Sequence, residues 1–326
     1  MLVLAGDIGG TSTRLAYFDA GGDTLQLGVE QRFPSCESNG LEKIVSRFST
    51  EQGLAAESAC FGIAGPVRDG RVTTPNLPWS VDAALLSRIL GFSPVRLIND
   101  LEANTYGIAL LGPDDLCVLN QGSADPSGTI AVVSAGTGLG EALAYWDGNA
   151  HRPLASEGGH ADFAPRTSLE TELLLYLREE HGRVSTERVV SGPGICSIYR
   201  FLRDVRRITA NPAVAEAMRL DDPAAIISRA ALGGECPLCV QTLDLFVSLY
   251  GAEAGNVALR VLATGGIYLG GGIAPKILKL LQGPGFMQAF TAKGRLSPLL
   301  ENIAVRVILN ERTALLGAAR CAAQPA

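Results

Sequence analysis

A glycine-rich turn near the start of the sequence carries residues suited to binding phosphate. The stretch 5–14 reads AGDIGGTSTR and lies between two apolar runs, a pattern that predicts two strands joined by a tight turn. Its glycines expose backbone N–H groups to a phosphate, while Asp7 and Thr11 add a carboxylate and a hydroxyl that suit a magnesium nucleotide. A purely structural hairpin is the alternative, but it would need neither Thr11 nor Arg14. The predicted phosphate turn comprises Gly6, Asp7, Ile8, Gly9, Gly10 and Thr11.

The same pattern returns in the middle of the chain. Residues 129–146 again read as an apolar strand, a glycine turn and an apolar strand, and aligning Gly10 with Gly138 also brings Tyr17 onto Tyr145. This predicts a duplicated lobe with a second phosphate turn, and two unrelated hairpins are the alternative. In a later glycine turn an adenine or ribose can lie against the chain, or one backbone can pack closely on another. The candidate residues of these two turns are Gly136, Thr137, Gly138, Gly271 and Gly272.

Asp100 is a candidate general base. It follows the predicted strand 95–98, with Asn99 between, and precedes the predicted helix 101–111. Ligands of open α/β sheets collect at the carboxyl ends of strands, where an acid can accept the proton of an alcohol that attacks phosphorus. Alternatively, Asp100 is the N-cap of the helix, and both roles can hold at once.

Three further polar residues are candidate ligands of a polyol. Glu157 and His160 are three residues apart around two glycines, so both can face a ligand close to bare backbone. A zinc pair is the alternative, but no neighbouring residues complete four ligands. Glu187 can grip neighbouring hydroxyls with two oxygens, or it can favour a helix N-terminus by its charge.

The composition excludes several classes of protein. With 326 residues, 47% of them hydrophobic, the chain is long enough for two lobes with their own cores. A net charge of −6 argues against nucleic-acid and anionic-membrane surfaces, which need clustered lysine and arginine. Seven irregularly spaced cysteines, no signal peptide and no long apolar span predict a cytoplasmic protein.

Other nucleotide and metal motifs are absent or incomplete. No G-x-x-x-x-G-K-[ST] sequence occurs, so the chain is not a P-loop enzyme, and the turn at Gly136 lacks the spacing of a dinucleotide fingerprint. Cys236 and Cys239 form a lone C-x-x-C pair without a second pair or a nearby histidine. A metal or redox role for this pair is therefore poorly supported.

The elements that position these residues alternate between strand and helix, which predicts an α/β layer structure. The polar turn 112–115 is the predicted boundary between lobes. A capping box of Thr167 and Glu170 is predicted to open a helix at 169–181. Further predictions are helices at 41–48, 82–90, 238–251 and 313–323, another beginning at Asp222-Pro223, and strands at 59–64 and 265–273.

Together the motifs resemble the bacterial glucokinase family, within the actin, hexokinase and sugar-kinase superfamily. The similar stretches run in the family's order and are GDIGGT at 6–11, LIND at 97–100, GTGLG at 136–140, SEGGHADF at 156–163, ERVVSGPG at 187–194 and GGIAPK at 271–276. Departures are Ser12, where relatives often have Asn, and Glu141, where a small apolar residue is usual. The Cys-rich zinc motif of related repressors and open-reading-frame kinases is missing, which favours the glucokinase branch.

The resemblance implies a duplicated actin/hexokinase-like (ribonuclease H-like) α/β fold around a central cleft. The implied lobes are 1–110, joined by a C-terminal helix at 311–326, and 111–310. The implied reaction is ATP-dependent phosphorylation of glucose at its 6-hydroxyl, the first step of glycolysis, with Mg²⁺ bound by Asp7 through water and commonly in a homodimer. Asp100 becomes the catalytic base, and the glucose contacts are Asn99, Asp100, Glu157, His160 and Glu187.

Two other functions stay open on sequence alone. One is a kinase of another hexose or an amino-hexose, because epimers differ in the orientation of one hydroxyl. The other is a non-catalytic sugar sensor or repressor of the same fold. Against it, the phosphate turn at Gly6 leaves no room for an N-terminal helix-turn-helix, and Asp100 is retained.

Overall fold

The computed structural model describes residues 1–21, 24–74 and 77–324. In the first third of the chain the elements are β1 (Leu2–Ile8), β2 (Ser12–Gly21), β3 (Thr24–Pro34), α1 (Leu41–Gln52), β4 (Ser58–Ile63), β5 (Arg71–Thr73), β6 (Ser80–Asp82), α2 (Ala83–Leu90), β7 (Val95–Asn99) and α3 (Asp100–Ile108). The middle of the chain contains β8 (Leu116–Asn120), β9 (Ile130–Ala135), β10 (Leu139–Trp146), β11 (His151–Ser156), α4 (Ser168–His181), α5 (Gly192–Asp204), α6 (Pro212–Leu220) and α7 (Pro223–Leu232). The last third contains α8 (Pro237–Val261), β12 (Gly266–Gly270), α9 (Leu278–Leu281), α10 (Pro284–Thr291), α11 (Ser297–Glu301), β13 (Val305–Ile308) and α12 (Thr313–Ala323).

Residue contacts divide the described chain into two units. The first lies within Met1–Asp115, Ala150–Ala155 and Asn310–Ala326, and the second within Leu116–Asn149 and Ser156–Leu309. The lobe boundaries at 110 and 310 stay a prediction.

The two units repeat one strand arrangement. In the first unit the order is β3-β2-β1-β4-β7, with β1 antiparallel to β2 and parallel to β4, which is parallel to β7. The second unit contains the order β10-β9-β12-β13-β8, with β9 antiparallel to β10 and parallel to β12, which is parallel to β13. The two glycine turns therefore join equivalent hairpins, as the sequence repeat predicts.

Side-chain alternation explains the core of the first unit. Along β1, Leu4 packs with residues of α1 and α2, whereas its neighbour Val3 packs with residues of α12. Successive strand residues point to opposite faces, so a strand that is apolar throughout is covered on both. The helix α12 also contacts α3 closely, because a Cβ at Gly317 would overlap Ala103 O.

Two of the predicted helices are longer than their sequence patterns indicate. The helix α1 continues to Gln52 and ends at Gly53, whose φ of 63° is left-handed. The helix α8 continues ten residues beyond Gly251, the predicted end, to Val261. Gly251 is a packing residue rather than a terminator, because a Cβ there would overlap Phe286 O of α10.

The predicted capping box of α4 is half formed. Thr167 Oγ1 accepts a hydrogen bond from Glu170 N at 3.2 Å, as an N-cap should. Glu170, however, turns to Arg166, accepting from its backbone N at 2.6 Å and pairing with its guanidinium at 2.6 Å. A buried carboxylate gains more from a charged partner than from a neutral N–H group, which explains the difference.

Within the described ranges, none of the helices has the length and apolar character needed to cross a membrane.

Candidate active site

In the first unit, two acids lie at the carboxyl edge of the parallel strands. Asp7 is near the end of β1 and Asp100 directly follows β7, with β4 between these strands. Gly62 of β4 leaves room there, since a Cβ at Gly62 would lie 3.8 Å from Asp100 Cα and 2.8 Å from Ala103 Cβ. Burial, and then repulsion by Asp100, raise the pKa of Asp7 to about 6. Asp100 therefore lies directly after β7, as the sequence pattern predicts, whereas its neighbourhood with Asp7 was not predicted.

Asn99, and not Asp100, is the N-cap of α3. Asn99 Oδ1 accepts from Leu101 N at 2.9 Å, and Glu102 Oε2 accepts from Asn99 N at 2.8 Å, which completes a capping box. The interpretation of Asp100 as the N-cap is therefore wrong, although Asp100 Oδ1 also accepts from Leu101 N at 3.0 Å. Asn99 Nδ2 donates to Gly65 O at 3.1 Å, and an amide nitrogen carries a second N–H that can donate to a ligand.

The first phosphate turn is shorter than the six residues proposed for it. Gly6, Asp7 and Ile8 belong to β1, and Gly6 is explained by packing, because a Cβ there would lie 2.5 Å from Phe61 Cδ1. The turn itself is closed by Gly9 N donating to Ser12 O at 3.0 Å. The backbone N–H groups that could meet a phosphate therefore belong to residues 9–11, and Thr11 among them is exposed.

Arg14 has a structural explanation. It lies opposite Asp7 on β2, and its guanidinium donates to Glu311 O and pairs with Glu311 Oε2, both at 2.9 Å. Its positive charge also works against the rise in the pKa of Asp7. Arg14 therefore ties the hairpin to the segment before α12 and favours the charged form of Asp7.

In the second unit, the glycine turns predicted to bind the nucleotide are adjacent. Gly136 N donates to Gly138 O at 2.9 Å to close the turn after β9, and Gly136 O accepts from Gly192 N at the start of α5 at 2.8 Å. The turn after β12 lies beside it, since Ile273 N donates to Ala135 O at 3.2 Å. Gly271 has a φ of 80° and no room for a Cβ, which would overlap Ala135 O. Gly272 and Thr137 are exposed nearby in the same two turns.

The three candidate sugar ligands lie together in this unit. His160 Nε2 is 4.0 Å from Glu157 Oε2, and His160 Nδ1 is 3.8 Å from Glu187 Oε1. Glu157 precedes the 3-10 turn Gly158–His160, which ends at His160, and Glu187 belongs to a second such turn, Thr186–Arg188. Glu157 and His160 are exposed and Glu187 is half-buried, so the cluster can meet a ligand from solvent.

A cavity adjoins the second phosphate turn and was not predicted from the sequence. Its volume is about 280 Å³, and it is bounded by Thr137, Glu187 and the first turns of α5. Ser191 caps that helix by accepting from Gly194 N at 3.0 Å. The only sequence signal for the side of the cavity formed by α5 is the Ser-Gly-Pro-Gly start of that helix. This pattern is typical of a capped N-terminus with proline in the first turn.

The C-x-x-C pair is explained by helix capping. Cys236 is the N-cap of α8, and its Sγ accepts from Cys239 N at 3.4 Å. Both thiols are buried, and burial raises the pKa of Cys239 far above its usual value, which keeps it protonated. Within the described part of the chain, no group of three His, Cys, Asp or Glu residues is arranged to hold a metal ion.

Comparisons with known proteins decide the family. A family model described as Glucokinase matches residues 4–325. The chain belongs to the glucokinase family. A glucokinase of Nostoc sp. (strain PCC 7120) is 44% identical to it, with 99% of each sequence covered. The crystal structure of a glucokinase from an Antarctic psychrotroph superposes with a TM-score of 0.87 at 34% identity, covering 98% of both chains.

A more distant solved structure shares the fold. The glucokinase of the ROK family from Streptomyces griseus, solved in complex with glucose and AMPPNP, has a TM-score of 0.69 at 21% identity and covers both chains completely. With these relatives, the predicted family, the duplicated α/β sugar-kinase fold and the hexose kinase activity are confirmed. The roles of individual site residues stay predictions.

Proposed function

We propose that this glucokinase-family chain transfers the terminal phosphoryl group of ATP to the 6-hydroxyl of glucose, with Asp100 as the general base. The observation that carries the role of Asp100 is its position at the carboxyl end of β7, while Asn99 supplies the helix cap. The carboxylate would orient the hydroxyl and accept its proton as the oxygen attacks phosphorus.

Glucose would be bound by hydroxyl contacts to Glu157, His160 and Glu187, and to Asn99 and Asp100. Carboxylates accept two hydrogen bonds from adjacent hydroxyls, and an imidazole can donate or accept. The spacings of 4.0 and 3.8 Å support this proposal because they place the three side chains within reach of one ligand, and none of the three is buried.

The phosphates of ATP would contact the glycine turns and their hydroxyls. The backbone N–H groups at 9–11 and 136–138, with Thr11 and Thr137, are suited to negatively charged oxygens. The adjacent turn at Gly271 and Gly272 would lie against the nucleoside. Phosphoryl transfer needs mostly positioning and charge stabilisation, so backbone dipoles and one base suffice.

Asp7 is the proposed contact of Mg²⁺, through water. Its carboxylate is an oxygen ligand of the kind Mg²⁺ prefers. Burial, and then repulsion by Asp100, raise its pKa, and a cation nearby would relieve that repulsion. When bound, Mg²⁺ would offset the charge of the phosphate oxygens. Asp7 is held in β1 opposite Arg14 on β2, and it would hold Mg²⁺ through a water molecule.

A homodimer in the cytoplasm belongs to the same proposal. The family resemblance supports the homodimer, and the odd number of unpaired cysteines supports a reducing compartment. Light scattering at micromolar protein tests the first point, because a mass near twice 34.1 kDa is expected and a mass of one chain would contradict it.

The experiment for the whole assignment is a coupled ADP-release assay with Mg-ATP and a panel of hexoses. Turnover on glucose well above that on mannose, fructose and glucosamine is expected. Turnover on another hexose with none on glucose would contradict the proposed substrate.

A further inference from the structure

A buried carboxyl supports the loop 157–160 from beneath. Glu141, on β10, is 4% exposed, and its Oε2 is so close to Gly158 that a Cβ there would overlap it. The next residue, Gly159, packs equally closely on Leu139 O. Gly158 therefore packs on the carboxyl of Glu141 and Gly159 on the backbone oxygen of Leu139, and both contacts are with β10.

A second buried acid faces Glu141 from α8. Glu253 is 5% exposed, and its oxygens accept from Arg260 Nη1 at 2.8 Å and from Asn256 Nδ2 at 2.9 Å. Glu141 Oε1, by contrast, is buried and has no hydrogen-bond partner among the described residues. A proton on Glu141 would make this carboxyl a donor to Glu253 and would satisfy the pair.

We propose that Glu141 is a positioning residue for glucose binding, whose neutral carboxyl, hydrogen-bonded to Glu253, holds Gly158 on β10 and so fixes the spacing of Glu157 and His160. The inference rests on the proposed sugar contacts of those two residues. Loss of the proton would place two negative charges side by side in a buried site, which is costly, and the carboxylate would move toward water at the expense of the loop.

Burial and the surrounding charges set the pH at which Glu141 loses its proton. Burial, and then the charge of Glu253, raise the pKa of Glu141 to about 7, while Arg260 acts in the opposite direction. Lys293 donates to Asn256 Oδ1 at 2.6 Å, and burial lowers its pKa. The ion-paired Arg166 and Glu170 act on Lys293, and Glu157 and His160 lie on the loop itself. Because the neutral carboxyl is the form that supports the loop, support is present at pH 6 and is lost as pH rises through about 7.

The test is the pH dependence of KM for glucose at saturating Mg-ATP, in the wild type and in Glu141→Gln. If only the protonated form binds glucose well, affinity falls about tenfold one pH unit above the pKa. The wild-type KM should therefore rise by about that factor between pH 6 and pH 8. Glu141→Gln cannot ionise and keeps the shape of the neutral acid, so its KM should stay level across this range.

Two further variants separate positioning from folding. Glu141→Ala removes the support at every pH, so its KM for glucose should lie above that of the wild type at pH 6 and approach it at pH 8, with kcat and KM for ATP little changed. Asp244→Asn neutralises an exposed acid of α8 and should leave the wild-type pH profile intact. Calorimetric titration of each protein with glucose alone gives the affinity without turnover, and melting temperatures report folding.

The outcomes distinguish this inference from the proposed function. If the wild type does not phosphorylate glucose, the proposed function fails. If it does, but Glu141→Gln shows the same rise in KM as the wild type, or Glu141→Ala binds glucose normally, the role of Glu141 is wrong.

Discussion

Glu187 Oε2 accepts a hydrogen bond from Leu139 N at 3.0 Å, while Glu187 Oε1 lies 3.8 Å from His160 Nδ1. Leu139 follows the second phosphate turn, and His160 belongs to the proposed sugar cluster. One carboxylate therefore contacts both parts of the proposed site in this unit, and it is half-buried where a hydrogen bond to a charged group is worth about 1.5–3 kcal/mol. Substitutions at Glu187 should accordingly affect both substrates.

Glu187→Ala and Glu187→Gln should differ in which substrate they affect. The alanine removes the acceptor for Leu139 N as well as the sugar contact, so KM for glucose and KM for ATP should both rise, each by about tenfold or more. The glutamine keeps an acceptor for Leu139 N but loses the charge that faces His160, so the main effect should be on glucose. Steady-state kinetics with each substrate varied in turn measure the split. An unchanged KM for ATP in Glu187→Ala would contradict the conclusion that Glu187 supports the second phosphate turn as well as the sugar cluster.

Gly138→Ala should damage the same contact from the other side. A Cβ at Gly138 would lie 2.5 Å from Glu187 Oε2, so either the turn or the carboxylate must shift. Overpacking of this kind costs about 1–3 kcal/mol, and kcat/KM for ATP should fall by about fivefold or more. Gly21→Ala is the control, because no atom lies within 4 Å of a Cβ there. Equal activity of the two variants would show that the turn tolerates the displacement.

Asp7→Asn should weaken the binding of Mg²⁺ and should change the stability of the fold in a defined pH range. Losing an acid that holds a metal through water costs about 10–100-fold in metal affinity, so the Mg²⁺ concentration for half-maximal rate should rise by that order.

The folded-state pKa of Asp7 is raised from 3.8 to about 6, so its neutral form stabilises the fold at low pH, and this contribution is lost as pH rises through about 6.

The melting temperature tests the sign of that effect. Asp7→Asn should melt above the wild type at pH 7.5 and close to it at pH 4, while Asp19→Asn, an exposed acid on β2, should show no such difference. An Asp7→Asn protein that melts below the wild type at pH 7.5 would contradict the unfavourable charge of Asp7.

Cys236→Ala should lower stability without any effect of chelators. The substitution removes the N-cap acceptor of α8, a loss that costs about 0.5–2 kcal/mol for the usual capping residues. Thermal unfolding should therefore shift downward, whereas Cys36→Ala, at an exposed position, should leave it unchanged. A fall in the wild-type melting temperature on adding EDTA would instead indicate a bound structural metal.

The hairpins and the position of Asp100 after β7 were predictable because they depend on local patterns. The glycine turns flanked by apolar strands, the end of the predicted helix 82–90 before a glycine, and the cap at Asp222 are each set by a few neighbouring residues, and all are present. The repeat of the hairpin also predicted the shared topology of the two sheets.

Features that depend on distant partners were not predictable. Gly6 looks like a phosphate glycine until Phe61 is placed against it, and Gly251 looks like a helix end until α10 packs on it. The facing of Glu141 and Glu253 joins residues far apart in sequence, so no local signal reveals it. The choice of Asn99 over Asp100 as the cap, by contrast, follows a local signal that was overlooked, because Glu102 lies three residues beyond Asn99 and completes its capping box.

The most direct test of the account is kcat for glucose phosphorylation by Asp100→Asn beside its affinity for glucose. Removing a general base should lower kcat by about a hundredfold or more, while calorimetric titration should show that glucose still binds. Asp114→Asn, at an exposed position, is the matched control and should keep wild-type turnover. A value of kcat for Asp100→Asn near that of the wild type would contradict the assignment of Asp100 as the base.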